Sequence, residues 1–91
     1  MPPARPAYRV ELAPSAARDL RALPPNVRHR IRLKIDALAR EPRPPGTKKL
    51  EGLESLYRMR VGAYRILYQI RDRVLLVLVV GVGNRREIYR R

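Results

Sequence analysis

The sequence predicts an α+β fold: an antiparallel sheet of about four strands, with a two-helix hairpin from the N-terminal half packed on one face. Three observations lead there. Apolar residues recur at helical spacing between Ala16 and Leu38. From Leu56 onward they alternate with polar ones, at strand spacing. Proline pairs and glycines punctuate the chain where one pattern gives way to the next. At 91 residues the chain is read as one domain, residues 1–91, with the Pro-rich residues 1–7 frayed.

Each element follows from its residues. "YRVEL", Tyr8 to Leu12, alternates and reads as a first strand. Pro14 or Ser15 opens a helix in which Ala16, Leu20 and Leu23 fall at i, i+4 and i+7. Pro24-Pro25 breaks that helix, and Pro25 suits the first turn of the next. Val27, Ile31, Ile35 and Leu38 form the apolar stripe of an amphipathic helix of about four turns, with Arg28, Arg30, Arg32 and Lys34 off the stripe. His29, the lone histidine, reads as a surface residue of that helix. Glu41-Pro42 ends it, because a residue before proline disfavours the helical region. "PRPPGTKKLEGLES" reads as a loop.

"LYRMRVGAYRILYQI" reads as two strands around a turn at Gly62-Ala63. One face would carry Tyr57, Met59, Val61, Tyr64, Ile66, Tyr68 and Ile70, the last four packed under the helices. The other face, carrying Arg58, Arg60 and Arg65, would be open to solvent. Arg71-Asp72-Arg73 reads as a tight turn. "VLLVLVV" is apolar on both faces and belongs in the middle of the sheet. The glycines of "GVGNRR" mark a bulge or the strand's end, and "EIYRR" reads as a short last strand.

Composition narrows the function classes. The net charge is +13, and all but three of the 21 basic residues are Arg, so the partner is a polyanion, an acidic protein, or both. With no Cys and one His, neither a disulfide, a thiolate nucleophile nor a protein-built zinc site is expected, and no metal or other cofactor is implied. No apolar run reaches membrane-spanning length and the N-terminus lacks a signal-peptide stretch, so a soluble cytoplasmic protein is expected. Like charges on one sheet face repel unless an anion sits among them. Guanidinium groups bind phosphate oxygens through a planar fork and stay charged at physiological pH. Arg58, Arg60 and Arg65, with Arg85, Arg86 and Tyr89 close behind the long apolar strand, therefore suit a phosphodiester.

These residues carry a resemblance. "KKLEGLESLYRMRVGAYRILYQIRDRVLLVLVVGVGNRREIYRR" resembles the C-terminal half of the RelE toxins of toxin–antitoxin pairs, through K-L-x-G, the Y-R-x-R-x-G-x-Y-R core and the closing R-R-E-I-Y. The resemblance implies a microbial-ribonuclease-like α+β fold. It also implies a toxin that enters the ribosomal A site and cuts mRNA through the RNA 2′-hydroxyl without a metal, restrained by an acidic antitoxin. Arg65 and Arg85 fall on the family's catalytic arginines, Tyr89 on its C-terminal catalytic tyrosine, and Arg58 and Arg60 where many relatives have basic residues, often Lys. Lys48, Lys49 and Arg86 would hold RNA, and the helix residues Arg28 and Arg32 would contact rRNA. The sequence departs from the family in lacking that Lys and in placing Asn84 where relatives often have His or Lys. The titratable candidates left for proton transfer are Tyr89, Tyr57 and Tyr68. Two other readings stay open: a ParE-like inhibitor of DNA gyrase, and an inactive basic RNA-binding domain.

Overall fold

A computed structural model describes residues 7–50, 52 and 55–84. The elements run β1 (Arg9–Leu12), α1 (Pro14–Arg21), α2 (Pro25–Ala37), β2 (Lys48–Lys49), β3 (Leu56–Val61), β4 (Tyr64–Arg71) and β5 (Leu76–Asn84). A short 3-10 turn at Asp72–Val74 joins β4 to β5 and closes with Leu75 at φ 51°. The α+β class and the helix hairpin are as expected. The sheet differs in two respects. It has five strands in the order β1-β5-β4-β3-β2, and β1 runs parallel to β5 while the other pairings are antiparallel.

Both differences have physical causes. The helix hairpin carries the chain across the sheet before β2, so β1 and β5 meet as a crossover pair, which a local reading cannot register. β2 is two residues long and sits inside the predicted loop; so short a strand has no periodicity to read. The helix α2 ends at Ala37, a turn before Glu41, and its stripe is buried as expected through Ile31, Ile35 and Leu38. The strand β5 runs on through Gly81 and Gly83 to Asn84, and its pairing with β4 shifts register at Leu67/Tyr68, leaving Val80 as an extra residue. The glycines thus lie beside a bulge and inside the strand. The predicted "EIYRR" strand falls outside the described residues.

The core lies between one sheet face and the two helices. Ile66, Tyr68 and Ile70 of β4 and Val77, Val79 and Val82 of β5 pack there with Ala16, Leu20, Ile31, Ile35 and Leu38. Tyr64 packs partly buried against the same cluster. The helix α1 also completes β5. β1 pairs only as far as Val79, which leaves the next backbone groups of that edge without a strand. Ser15 Oγ donates to the Val80 carbonyl at 2.7 Å, and the Val82 N–H donates to Asp19 Oδ2 at 3.0 Å. Ser15 and Asp19 are one helical turn apart and face the same way, so a helix side chain stands in for the missing strand at each group. No helix among the described residues is long and apolar enough to cross a membrane.

Candidate nucleic-acid interface

Cross-strand register assembles the site. Lys48 lies opposite Arg58, and Arg60 opposite Arg65. Side chains of a strand alternate between faces, so Lys48, Arg58, Arg60 and Arg65 share the sheet face turned away from the helices. The two-residue turn at Gly62-Ala63 holds this register; Gly62 sits at φ 60°, where glycine pays no steric penalty. On the far side of Arg65 the partner in β5 is Gly83. Gly83 therefore places no cross-strand side chain beside Arg65.

The face is not uniformly open, as the alternation had suggested. Arg60 is exposed, Arg58 is half-buried and Arg65 is 7% exposed. The sheet order explains the gradient. β2 ends its pairing at Arg58, so the Arg60 stretch is a sheet edge, whereas Arg65 lies on β4 with a strand on both sides. Desolvated cations act more strongly on a phosphate than solvated ones, because less water screens them.

Pro45, Gly46, Lys48, Arg58, Met59 and Arg60 enclose a cleft of about 240 Å³. Its lining holds three cationic residues and no carboxylate among the described residues. A neighbouring cleft of about 180 Å³ runs around the β3 edge between Arg60 and Lys34, and there Glu41 is the acidic member. Among the described residues, no group of three or more His, Cys, Asp or Glu side chains is placed to hold a metal ion.

The remaining predicted residues divide by position. Lys49 pairs with Tyr57 and so sits on the opposite face from Lys48. Arg28 and Arg32 lie on the flank of α2 that faces α1, beside His29 and Arg21. Asn84 is exposed at the end of β5, in register with Tyr64 and not with Arg65. Arg85, Arg86 and Tyr89 fall outside the described residues. Tyr57 and Tyr68, candidates for proton transfer, are on the helix side of the sheet and cannot reach a phosphate held by Arg58 or Arg60. Tyr68 is fully buried, and its hydroxyl donates to the Pro42 carbonyl at 2.9 Å and lies 3.2 Å from Thr47 Oγ1. Burial pushes its phenol above the ordinary tyrosine value, the wrong direction for a base.

The sequence reading missed a second arginine centre. Arg43, set between prolines in the loop after α2, donates from one terminal nitrogen to Asp72 Oδ2 at 2.8 Å and from the other to Oδ1 at 3.3 Å. Its carbon lies 5.2 Å from the centroid of the Tyr57 ring, which stacks on Tyr68 at 6.0 Å. The Tyr8 hydroxyl also donates to Asp72. These bonds from Arg43 and Tyr8 hold the Asp72 carboxyl below its ordinary range, while the same hydrogen bond to Asp72 raises Tyr8. No signal in the sequence joins Arg43 to Asp72, because the contact spans 29 positions and neither residue belongs to a periodic pattern.

Comparison with known proteins completes the picture. A family model described as "ParE toxin of type II toxin-antitoxin system, parDE" matches residues 10–89. The chain is 35% identical over 85 residues to Toxin RelG of Mycobacterium tuberculosis, covering 92% of this chain and 98% of that one. It is 31% identical over 87 residues to the mRNA interferase toxin RelE of Escherichia coli K12, covering 91% of this chain and 90% of RelE. Among solved structures, the toxin–antitoxin complex RelBE2 of M. tuberculosis matches with a TM-score of 0.77 at 33% identity, covering 87% of this chain and 99% of that one. The archaeal RelE–RelB complex of Pyrococcus horikoshii OT3 matches with a TM-score of 0.78 at 29% identity, covering 89% and 98%.

Proposed function

The chain belongs to the RelE family, within the RelE/ParE superfamily of type II toxins, and on that premise we propose that it is a ribosome-dependent mRNA endonuclease acting in the cytoplasm as a single toxin domain. One observation carries the reading: Lys48, Arg58, Arg60 and Arg65 share one sheet face, and the first three line a cleft without a carboxylate among its described lining. Fixed cations of this kind stabilise the charge that builds on phosphoryl oxygens when a 2′-hydroxyl attacks the neighbouring phosphate. In this proposal Arg65 and Arg85 hold the reacting phosphate, Arg58 and Arg60 complete the cationic wall, and Tyr89 serves proton transfer. Lys48 and Arg86 hold the RNA backbone, Lys49 meets it past the β2 edge, and Arg28 and Arg32 touch rRNA. The reaction yields a 2′,3′-cyclic phosphate and a 5′-hydroxyl and consumes no water in that step.

No described group on the arginine face has a reference pKa near neutral, so positioning carries the rate. The substrate must therefore arrive already shaped, as mRNA held on a ribosome is. The restraining partner is an acidic antitoxin, of which RelB in the solved complexes is the counterpart. Its binding is expected to weaken as salt rises, because charge attraction supplies part of it.

The test incubates the purified chain with programmed ribosomes and with the same mRNA free in solution, then maps the new 5′ ends. Cleavage on ribosomes far above that on free RNA, unaffected by EDTA at intact ribosomes, supports the reading. Equal rates on both substrates overturn it. The family model's ParE description favours one rival, a gyrase inhibitor. That reading requires loss of DNA supercoiling with translation and mRNA intact.

A further inference from the structure

We propose that the cleft of about 180 Å³ at the β3 edge is a base-reading slot, in which Glu41, with Lys34 beside it, selects an mRNA base that carries an exocyclic amino group and rejects uracil. The inference rests on the endonuclease reading above and names what reads the message next to the cut.

The contrast between the two clefts carries it. They adjoin, sharing Pro45, Met59 and Arg60. The sheet-face cleft has three cationic residues and no carboxylate among its described lining, and suits a phosphate. Around the edge the chemistry changes. Apolar side chains make most of the wall, with Leu38 and Met59 buried and Pro45 exposed. Glu41 brings a negative charge, which repels a phosphate. The uncharged part of a nucleotide is its base, a flat apolar ring with polar groups only along its edge. Walls that are mostly apolar, with a few polar groups placed on them, match such a ring. One nucleotide therefore spans both clefts, its phosphate on Arg60 and its base past the edge. Arg60 stands opposite Arg65, so the slot keeps a fixed offset from the phosphate assigned to Arg65.

The backbone fixes where the two charged groups stand. Lys34, Ala37, Leu38 and Glu41 follow one another at i, i+3, i+4 and i+7, the spacing of one helical face. The helix α2 ends at Ala37, but the Arg40 and Glu41 N–H groups both donate to the Ala37 carbonyl, at 3.2 and 3.1 Å, and this turn carries the face on to Glu41. An ionised carboxylate only accepts hydrogen bonds, and an ammonium only donates. Cytosine, adenine and guanine each offer an amino group to the carboxylate and a nearby acceptor to the ammonium. Uracil has the size of cytosine but puts a carbonyl oxygen where cytosine has its amino group, and that oxygen meets the lone pairs of Glu41. An acidic peptide gains from Lys34 and Arg60 but is repelled by Glu41, whereas a neutral base meets no such opposition.

The experiment programs ribosomes with mRNAs that differ in one base at a time around the cut and measures cleavage by the full-length protein from mapped 5′ ends. At one fixed position from the cut, wild type should favour cytosine over uracil roughly tenfold. Glu41→Gln offers either an acceptor or a donor and should bring that ratio close to one. Glu41→Lys should invert it. Lys34→Ala should raise KM and keep the order of the bases. Both side chains are exposed, so these variants are expected to fold, and Arg18→Ala on α1 should keep the wild-type ratio. Damage to the fold lowers cleavage of all bases alike and leaves the ratio where it was. A wild-type ratio in both Glu41 variants therefore overturns the slot, as does a wild type with no preference between cytosine and uracil at any position; either result leaves the endonuclease reading standing. Loss of affinity for an acidic antitoxin peptide in the Glu41 variants, with base preference unchanged, assigns the slot to a protein and also overturns it. A wild-type protein that does not cut on ribosomes removes the endonuclease reading and the slot together.

Discussion

Arg43 and Arg28 are both arginines at the ends of the α2 region, and the protein treats them in opposite ways. Arg43 spends its fork inside the molecule: both terminal nitrogens meet Asp72, and the guanidinium stacks on Tyr57. Arg28 has a buried Nε with no acceptor and faces a groove lined by other cations. The sheet-face cleft beside Lys48, Arg58 and Arg60 resembles the Arg28 groove in having no carboxylate among its described lining residues. In a chain of net charge +13, abundance of arginine says nothing about the role of any one of them. What separates them is whether the fold supplies the counter-charge. Asp72 makes Arg43 a strut, whereas the α1–α2 groove offers Arg28 no carboxylate among its described lining residues.

The comparison can be tested at its strong end first. Arg65→Ala should lower ribosome-dependent cleavage by on the order of 10²-fold or more, the usual loss when a fixed transition-state donor is removed. Arg60→Ala, at the solvated sheet edge, should lose less. Circular dichroism and thermal melting should show both folded, and Arg18→Ala on α1 should cut at the wild-type rate. Cleavage at wild-type rate by folded Arg65→Ala would remove the division between the two classes.

The next effect is one of stability. Tyr68→Phe leaves the Pro42 carbonyl without its donor, and Asp19→Ala leaves the Val82 N–H without its acceptor. Each should cost about 1–3 kcal/mol, read from denaturant midpoints. Tyr68→Phe should not change cleavage per folded molecule, because its hydroxyl lies on the helix side. A loss of turnover in folded Tyr68→Phe would restore that tyrosine to the reaction.

The smallest effect tests the strut itself. Arg43 and Asp72 are each about half exposed, so Arg43→Ala should cost at most ~1 kcal/mol and leave cleavage near wild type. The pH dependence follows from the depressed Asp72 carboxyl. Its contribution is present above the unfolded carboxylate value of about 3.9 and is lost as pH falls through the lower folded value. Asp72→Asn should therefore lower the neutral plateau slightly, by at most ~1 kcal/mol, and flatten the acid limb by the same amount, so that the two proteins converge in acid. An acid limb identical in the wild type and Asp72→Asn would show that the pair does not couple to folding.

The sequence by itself determined the two helices, the longer strands and the composition of the arginine face. Alternation with period two is set by the strand backbone, so Arg58, Arg60 and Arg65 had to share a face once Leu56–Val61 and Tyr64–Arg71 were strands. The stripe Ile31, Ile35, Leu38 likewise had to turn inward. Tertiary structure decided everything that depends on which distant segments meet. It placed β1 parallel to β5 and added β2. It also buried Arg65 while leaving Arg60 exposed on the same face, because β4 has a strand on each side and β2 is too short to flank Arg60. Arg43 met Asp72 for the same reason: the loop after α2 and the β4–β5 turn come together only when the sheet has closed. Local patterning records which way a side chain points; its counter-charge and its contact with water depend on neighbours that chain folding brings from far along the sequence.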